Sequence, residues 1–299
     1  MRIEVIAPHG FCGGVERAVR MAHELLDREK GTVYGLHEIV HNESVVGALV
    51  SKGMVFVESV ADVPEGATVL VSAHGTSPAT FEDAKRRGLT VVDATCPFVL
   101  AGHAKIRENF RNGMRTVIIG KPTHAEVKGY LGEDGACLSE DVRPGERTGR
   151  VVQTTLDADE YGGVCTATRD RQQAVRRFVE SQVLKGLSPS SVGVLVVGSP
   201  KSSNTGKLAD IAERAGAKSW RVSGTDDLPA IDFSGIEVLG VTSGASTPED
   251  VFDDVLEGLL VSFQYVARSV RYGVEVEVRH SMNPERYARY AVGDDLMLL

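Results

Sequence analysis

The sequence predicts an α/β fold with mostly parallel sheets. Two observations carry this. Short β-branched apolar runs alternate with helix-period patterns along the chain, and strand after strand ends in a short polar or glycine-containing segment. The runs place strands at 3–7, 32–36, 67–72, 90–93, 116–119, 150–153, 192–197, 219–222 and 237–241. Between them, apolar residues recurring every three to four positions place helices at 14–26, 44–52, 77–87, 98–112, 171–183, 203–215 and 248–263. The last helix has a marked start: Thr247 as N-cap, Pro248 in the first turn, then Glu249 and Asp250. Residues 132–149 and 186–191 read as loops.

The strand-end segments are APHGFCGG, HEIVHN, SAHG, DATCP, GKPTHAE, QTT, GSPKSSN and TSGAS. In open α/β sheets, ligands bind beyond the carboxyl ends of parallel strands. Helix N-termini gather there too, and their unpaired N–H groups favour anions. Eight such segments point to one composite site fed from several sheets and to a repeated α/β unit.

Composition narrows the class. A chain of 299 residues, 42% hydrophobic and 25% charged, has room for two or three compact units. It has no run of about 18 apolar residues, so no membrane span is expected. The opening MRIEVIAPHGFCGG lacks the charge and apolar run of an export signal, so a cytoplasmic location is expected. A net charge of −8 argues against nucleic-acid binding, which needs a basic face. An anionic ligand must then be held by a few local donors.

The four cysteines, Cys12, Cys96, Cys137 and Cys165, are widely spaced. Without an export signal, metal or catalytic use outweighs disulfide formation. Cys12 (GFCGG) and Cys96 (ATCP) each follow a strand directly, and Cys165 (GVCTAT) opens a segment leading into a helix. Cys137 falls in a loop. A lone cysteine is usually a small buried hydrophobe. Three at such positions, among glycines that let the backbone come close, suit a metal cluster. Three thiolates leave one iron of a four-iron cluster open, able to act as a Lewis acid toward a substrate oxygen. A closed zinc site of three cysteines and one histidine is the competing reading.

His41, His74 and His124 occupy three of the strand ends. Imidazoles there donate hydrogen bonds to phosphate oxygens and take up charge when an anion is near. Ser202, Ser203 and Asn204 open a helix after the strongest strand, VGVLVVG, and Ser246 lies in a similar segment after the last one. Both suit an anion, although helix capping alone explains serine and asparagine equally well. No P-loop is present. Glu126 can relay a proton in a dry site. Thr154 and Thr155 either orient a substrate hydroxyl or fill a strand end.

Taken together, GFCGGVERAV, HEIVHN, SAHG, VDATCP, THAEV, QTTL, CTATRDRQQAV, VVGSPKSSN and VTSGAS resemble the LytB/IspH family of 4-hydroxy-3-methylbut-2-enyl diphosphate reductases, in the family's order. The resemblance implies three small α/β units around a central 4Fe–4S cluster with one open iron site. It implies reductive removal of an allylic hydroxyl in isoprenoid synthesis, giving isopentenyl and dimethylallyl diphosphates. It assigns Cys12, Cys96 and Cys165 to the cluster. It assigns His41, His74, His124, Ser202, Ser203, Asn204 and Ser246 to the diphosphate, Glu126 to proton donation and Thr154 to the substrate hydroxyl. Cys137 matches nothing. Since no dinucleotide fingerprint is present, electrons are expected from a ferredoxin or flavodoxin. The units are expected at 13–97, 98–160 and 161–270 with 1–12, followed by a segment at 271–299.

Three features depart from the family pattern. Only ten residues, 155–164, separate Thr154 from Cys165, where a longer connection with a helix is expected. The segment CPFVLAGH is unusually apolar, and 271–299 does not look like the usual ending. The short connection strips the second unit, so an uncovered sheet face and a homodimer through it are expected. Alternative readings are a paralogue acting on another allylic diphosphate and a non-catalytic cluster- or anion-binding protein.

Overall fold

A computed structural model describes residues 1–269 and 278–279. The chain opens on β1 (Arg2–Val5) and then enters an inserted compact unit, 12–165. This unit runs α1 (Gly13–Arg28), β2 (Val33–Leu36), α2 (Glu43–Ser51), β3 (Met54–Val57), β4 (Thr68–Val71), α3 (Pro78–Arg86) and β5 (Thr90–Asp93). It continues with α4 (Pro97–Arg111), β6 (Arg115–Ile119), α5 (Ala125–Leu131), β7 (Ala136–Cys137), β8 (Thr148–Val152) and α6 (Ala158–Tyr161). A terminal unit combines 1–11 with the chain from 166 onward: α7 (Thr166–Leu184), β9 (Val192–Val197), α8 (Ser203–Arg214), β10 (Lys218–Val222), β11 (Val238–Ser243), α9 (Glu249–Ser269) and β12 (Val278–Arg279).

The described residues form three parallel sheets, ordered β3-β2-β4-β5 and β7-β6-β8 in the inserted unit and β10-β9-β11-β1-β12 in the terminal unit. Parallel pairing requires crossovers, and helices supply them. Strand β9 shows the consequence: every residue of VGVLVV is buried, as expected of a strand covered on both faces. Val192, Val194 and Val196 pack with Val175, Val179, Leu208 and Ile211 on one side, while Leu195 and Val197 pack with Phe252, Val255 and Leu256 on the other. In the inserted unit, Val69, Val71 and Leu36 join Ala84 and Leu89 under α3. Val99 and Ile106 of α4 meet Ile118, Val127 and Val151.

Several boundaries are set by local chemistry. Asn42 caps α2 by accepting the Val45 N–H at 3.1 Å, and Ser77 caps α3 ahead of Pro78. Elsewhere the structure corrects the sequence reading. The region 132–149 is not all loop: β7 lies in it, so Cys137 is a buried strand residue whose thiol faces the Thr116 carbonyl at 3.6 Å. Strand β3 and helix α5 were not expected, and α7 begins at Thr166 rather than near residue 171. Thr247 does not cap the last helix; its hydroxyl donates to the Val197 carbonyl at 2.9 Å.

The ten-residue connection before Cys165 holds α6, capped by Asp157. Among the described residues, no large apolar side chain of β6, β7 or β8 is exposed, so the uncovered sheet face expected of the second unit is not seen. Exposed apolar side chains occur instead on α4, at Phe98, Leu100 and Phe110. No helix among the described residues is long and apolar enough to cross a membrane. Apart from 278–279, the expected segment 271–299 lies outside the described residues.

Candidate functional site

Two of the three cysteines stand at helix starts in the inserted unit. Cys12 immediately precedes α1, and Cys96 precedes α4 with Pro97 as its first residue. Cys165 closes the unit; its N–H donates to the Thr154 carbonyl at 3.3 Å. The sulfurs of Cys12 and Cys96 both approach Gly14 of α1. A Cβ added there would lie 2.6 Å from Cys96 Sγ and 4.0 Å from Cys12 Sγ, so only glycine lets the helix pass this close. Burial pushes the Cys96 thiol up, the N–H groups of Phe98 and Val99 pull it down, and the neighbouring thiols Cys12 and Cys165 push it up again. A thiol that resists ionising becomes a thiolate when a cation replaces its proton. The donor set of three sulfurs, with helix N–H groups on one of them, therefore fits an iron–sulfur cluster.

His41, His74 and His124 form one cluster in the same unit. Ring centroids are 4.3 Å apart for His41–His74, 5.6 Å for His41–His124 and 5.5 Å for His74–His124. Each Nδ1 has a protein partner: Glu38 at 3.2 Å for His41, the Ser72 hydroxyl at 3.5 Å for His74, and the Glu126 N–H at 3.3 Å for His124. Burial, then the charges of His41, His124 and His37, holds His74 well below the usual imidazole range. Burial, then His41 and Lys121, brings His124 down to about 4. Ligand atoms of the three lie within 4.8 Å of one another, close enough to consider a metal ion. A metal needs ring lone pairs, however. Nδ1 of His124 accepts a backbone N–H, so the neutral ring keeps its proton on Nε2. That makes His124 a donor suited to an anion.

Glu126 is 2% exposed on α5. One carboxyl oxygen accepts the Thr154 N–H at 2.7 Å and the other the Thr154 hydroxyl at 2.8 Å. Burial raises this carboxyl to about 7, against the pull of both Thr154 bonds and the Tyr130 hydroxyl. The site thus holds an acid that carries its proton near neutrality.

Tyr130 was not singled out from the sequence. It lies one turn after Glu126 on α5, is 1% exposed, and meets His103 edge-on at 4.9 Å. Helix α4 passes it at Gly102, where a Cβ would collide with the phenol oxygen and ring. A glycine inside a helix is normally unfavourable, and here that glycine makes the room. Gly102→Ala is expected to lower stability by about 1–3 kcal/mol through overpacking, although alanine is the better helix former. Chemical denaturation would show it; an unchanged or raised midpoint would mean that Tyr130 moves aside without loss.

In the terminal unit, Ser202 caps α8 by accepting the Thr205 N–H at 3.3 Å, and Ser203 is the helix's first residue. Asn204 ties strand ends together: its amide oxygen accepts the Ala245 N–H at 3.1 Å and its nitrogen donates to Thr168 at 3.3 Å. Ser246, beside Ala245, is buried. The expected residues of this unit therefore cluster at the ends of β9 and β11.

Residues 3–260 match the family model described as LytB protein. The chain belongs to the LytB family. Among its relatives is the 4-hydroxy-3-methylbut-2-enyl diphosphate reductase of Psychrobacter arcticus, 37% identical over 294 residues, covering 87% of this chain and 89% of the relative. Those 294 positions exceed the 87% of this chain that takes part, so this LytB relative carries residues within the matched span that the chain lacks. The E-1-hydroxy-2-methyl-but-2-enyl-4-diphosphate reductase of Plasmodium falciparum superposes with a TM-score of 0.79 at 27% identity, covering 94% of this chain and 92% of that one. A second structure, titled (E)-4-hydroxy-3-methyl-but-2-enyl diphosphate reductase, the terminal enzyme of the non-mevalonate pathway, gives 0.62 at 30% identity over 86% of this chain and 98% of that one.

Proposed function

We propose that this LytB protein reduces 4-hydroxy-3-methylbut-2-enyl diphosphate to isopentenyl and dimethylallyl diphosphates in isoprenoid synthesis. The observation that carries the reading is the link between the cysteines and the buried acid: Cys165 bonds Thr154, which bonds Glu126, in the unit that also holds Cys12 and Cys96. The net reaction breaks the allylic C–O bond, forms a C–H bond and releases water, consuming two electrons and two protons.

Cys12, Cys96 and Cys165 would hold a 4Fe–4S cluster. When bound, it supplies electrons one at a time and a Lewis-acidic iron. We assign electron delivery to a ferredoxin or flavodoxin and place the reaction in the cytoplasm. The chain's own residues do the rest. His41, His74 and His124, with Ser202, Ser203, Asn204 and Ser246, are assigned to the diphosphate, whose fixed position orients the alkene end. Glu126 holds a proton at neutral pH. Once protonated, its O–H donates to the Thr154 oxygen, and the Thr154 hydroxyl proton is then directed at the departing hydroxyl.

Purified and reconstituted without oxygen, the chain is expected to be brown, to hold about four irons, and to turn over the hydroxylated diphosphate with a chemical reductant. A colourless protein without iron, or an iron-loaded one without turnover, defeats the proposal.

A further inference from the structure

We propose that Tyr130 is a positioning residue for the proton donor: its hydroxyl donates to the Glu126 carboxyl and sets how readily that acid gives up its proton toward Thr154. The inference rests on the reading of Glu126 as the proton donor and deepens it by naming the group that tunes it.

Tyr130 follows Glu126 by one turn of α5, so the two side chains share a helix face. They are 1% and 2% exposed, and the phenol hydroxyl is hydrogen-bonded to the carboxyl. Gly102 of α4 leaves the room in which the phenol oxygen sits. Burial, then the Glu126 charge and the bond to it, then Cys96 and Cys165, push this hydroxyl far above its ordinary value. It therefore keeps its proton and donates to the acid in either of the acid's states.

Those two states use the donor differently. The ionised carboxylate accepts from the Thr154 N–H at 2.7 Å, from the Thr154 hydroxyl at 2.8 Å and from the Tyr130 hydroxyl. The protonated acid reverses the Thr154 hydroxyl bond, donating through it, and keeps the other two as neutral bonds. A hydrogen bond to a charged acceptor is about twice as strong as a neutral one. The Tyr130 bond thus strengthens as the proton leaves, and it makes Glu126 a stronger acid. Around the pair stand His124, whose Nδ1 accepts the Glu126 N–H, His103, which meets the phenol edge-on, and the thiols Cys96 and Cys165. Lys121 acts on His124, and Glu133, Arg107 and Asp93 act on His103. Burial lowers both histidines, so they are neutral near pH 7. Thiols that hold a cluster carry no proton to lose.

The test is Tyr130→Phe, which removes the hydroxyl alone, in the full, cluster-loaded chain, read by a pH–rate profile and by thermal melts across the same range. The alkaline limb of kcat, expected near pH 7 in wild type, should move up by about one pH unit. Below the limb kcat should fall about three- to tenfold, because a weaker acid gives its proton less readily, with little change in KM. The Tm deficit of Tyr130→Phe should grow as pH rises through 7, since the lost bond counts most for the ionised carboxylate. That growth should be absent when both chains compared also carry Glu126→Gln. A limb that stays in place, or a Tm deficit that is the same at every pH, overturns the tuning role and leaves Tyr130 as packing, while the Glu126 reading stands. If Glu126→Gln keeps the wild-type limb, the proton-donor reading falls and the proposal falls with it.

Discussion

Replacing Cys96 by serine is expected to leave the chain nearly free of iron and to lower turnover by more than about a hundredfold. Loss of a mere outer partner of a metal ligand already reaches that size, and Cys96 is one of the three ligands assigned to the cluster. It is coupled to both Cys12 and Cys165, and its sulfur alone has the N–H groups of Phe98 and Val99 acting on it among the described thiols. Serine keeps the shape but offers a hydroxyl that does not ionise near neutrality. Gly14→Ala is a subtler version: its Cβ would sit 2.6 Å from Cys96 Sγ, so the sulfur must move and iron content is expected to fall. Cys137→Ser is the control. That thiol is buried under the Thr116 carbonyl in β7, and its loss is expected to leave iron unchanged. Iron per chain and visible absorbance after anaerobic reconstitution decide the matter; full iron loading in Cys96→Ser would remove this residue from the site.

The contrast between Cys96 and Cys137 also shows what a sequence makes legible. Cys12 and Cys96 stand out because each lies in a short polar or glycine-containing segment between a predicted strand and a helix, and such ends are where parallel sheets present ligand-binding groups. His41, His74 and His124 stand out for the same reason. The partners of these residues do not. Glu38 is one acid in a polar loop until the fold sets it against His41 Nδ1. Tyr130 is one more apolar residue until α4 and α5 cross at Gly102. Contacts of this kind are made by tertiary packing, and no local periodicity announces them. The missed elements have related causes. Strand β3 is four residues long and β7 only two, too short for alternation to show. Helix α5 lies inside a site motif, where HAEVKGYL reads as functional loop. The first turn of α7, TATRD, is polar and shows no apolar period. At Thr247 a tertiary bond to Val197 displaced the local cap.

Glu126→Gln is expected to lower kcat by about 10²–10⁴-fold, the usual share of a positioned acid, while raising stability in alkaline solution. Both effects follow from the same burial. In the folded chain the carboxyl is raised from 4.5 to about 7. Proton donation requires its neutral form, so wild-type activity is expected to fall as pH rises through about 7, and this limb should vanish in the variant. For stability the sign is as follows. Between pH 4.5 and about 7 the folded chain keeps a proton that the unfolded chain has lost, so stability declines across that window as pH rises. The full decline is on the order of 3 kcal/mol. Glutamine carries no charge at any pH and mimics the protonated acid: its amide oxygen accepts the Thr154 N–H, and its NH2 donates to the Thr154 oxygen. The variant should therefore melt higher than wild type above pH 7 and gain little below pH 4.5. Thermal melts across that range, run beside the pH–rate profile, check both halves. A constant difference in Tm at all pH values would mean that Glu126 is charged when folded, and so is not the proton donor. The expected exchange of stability for activity places the acid in a site that keeps its proton only by excluding water.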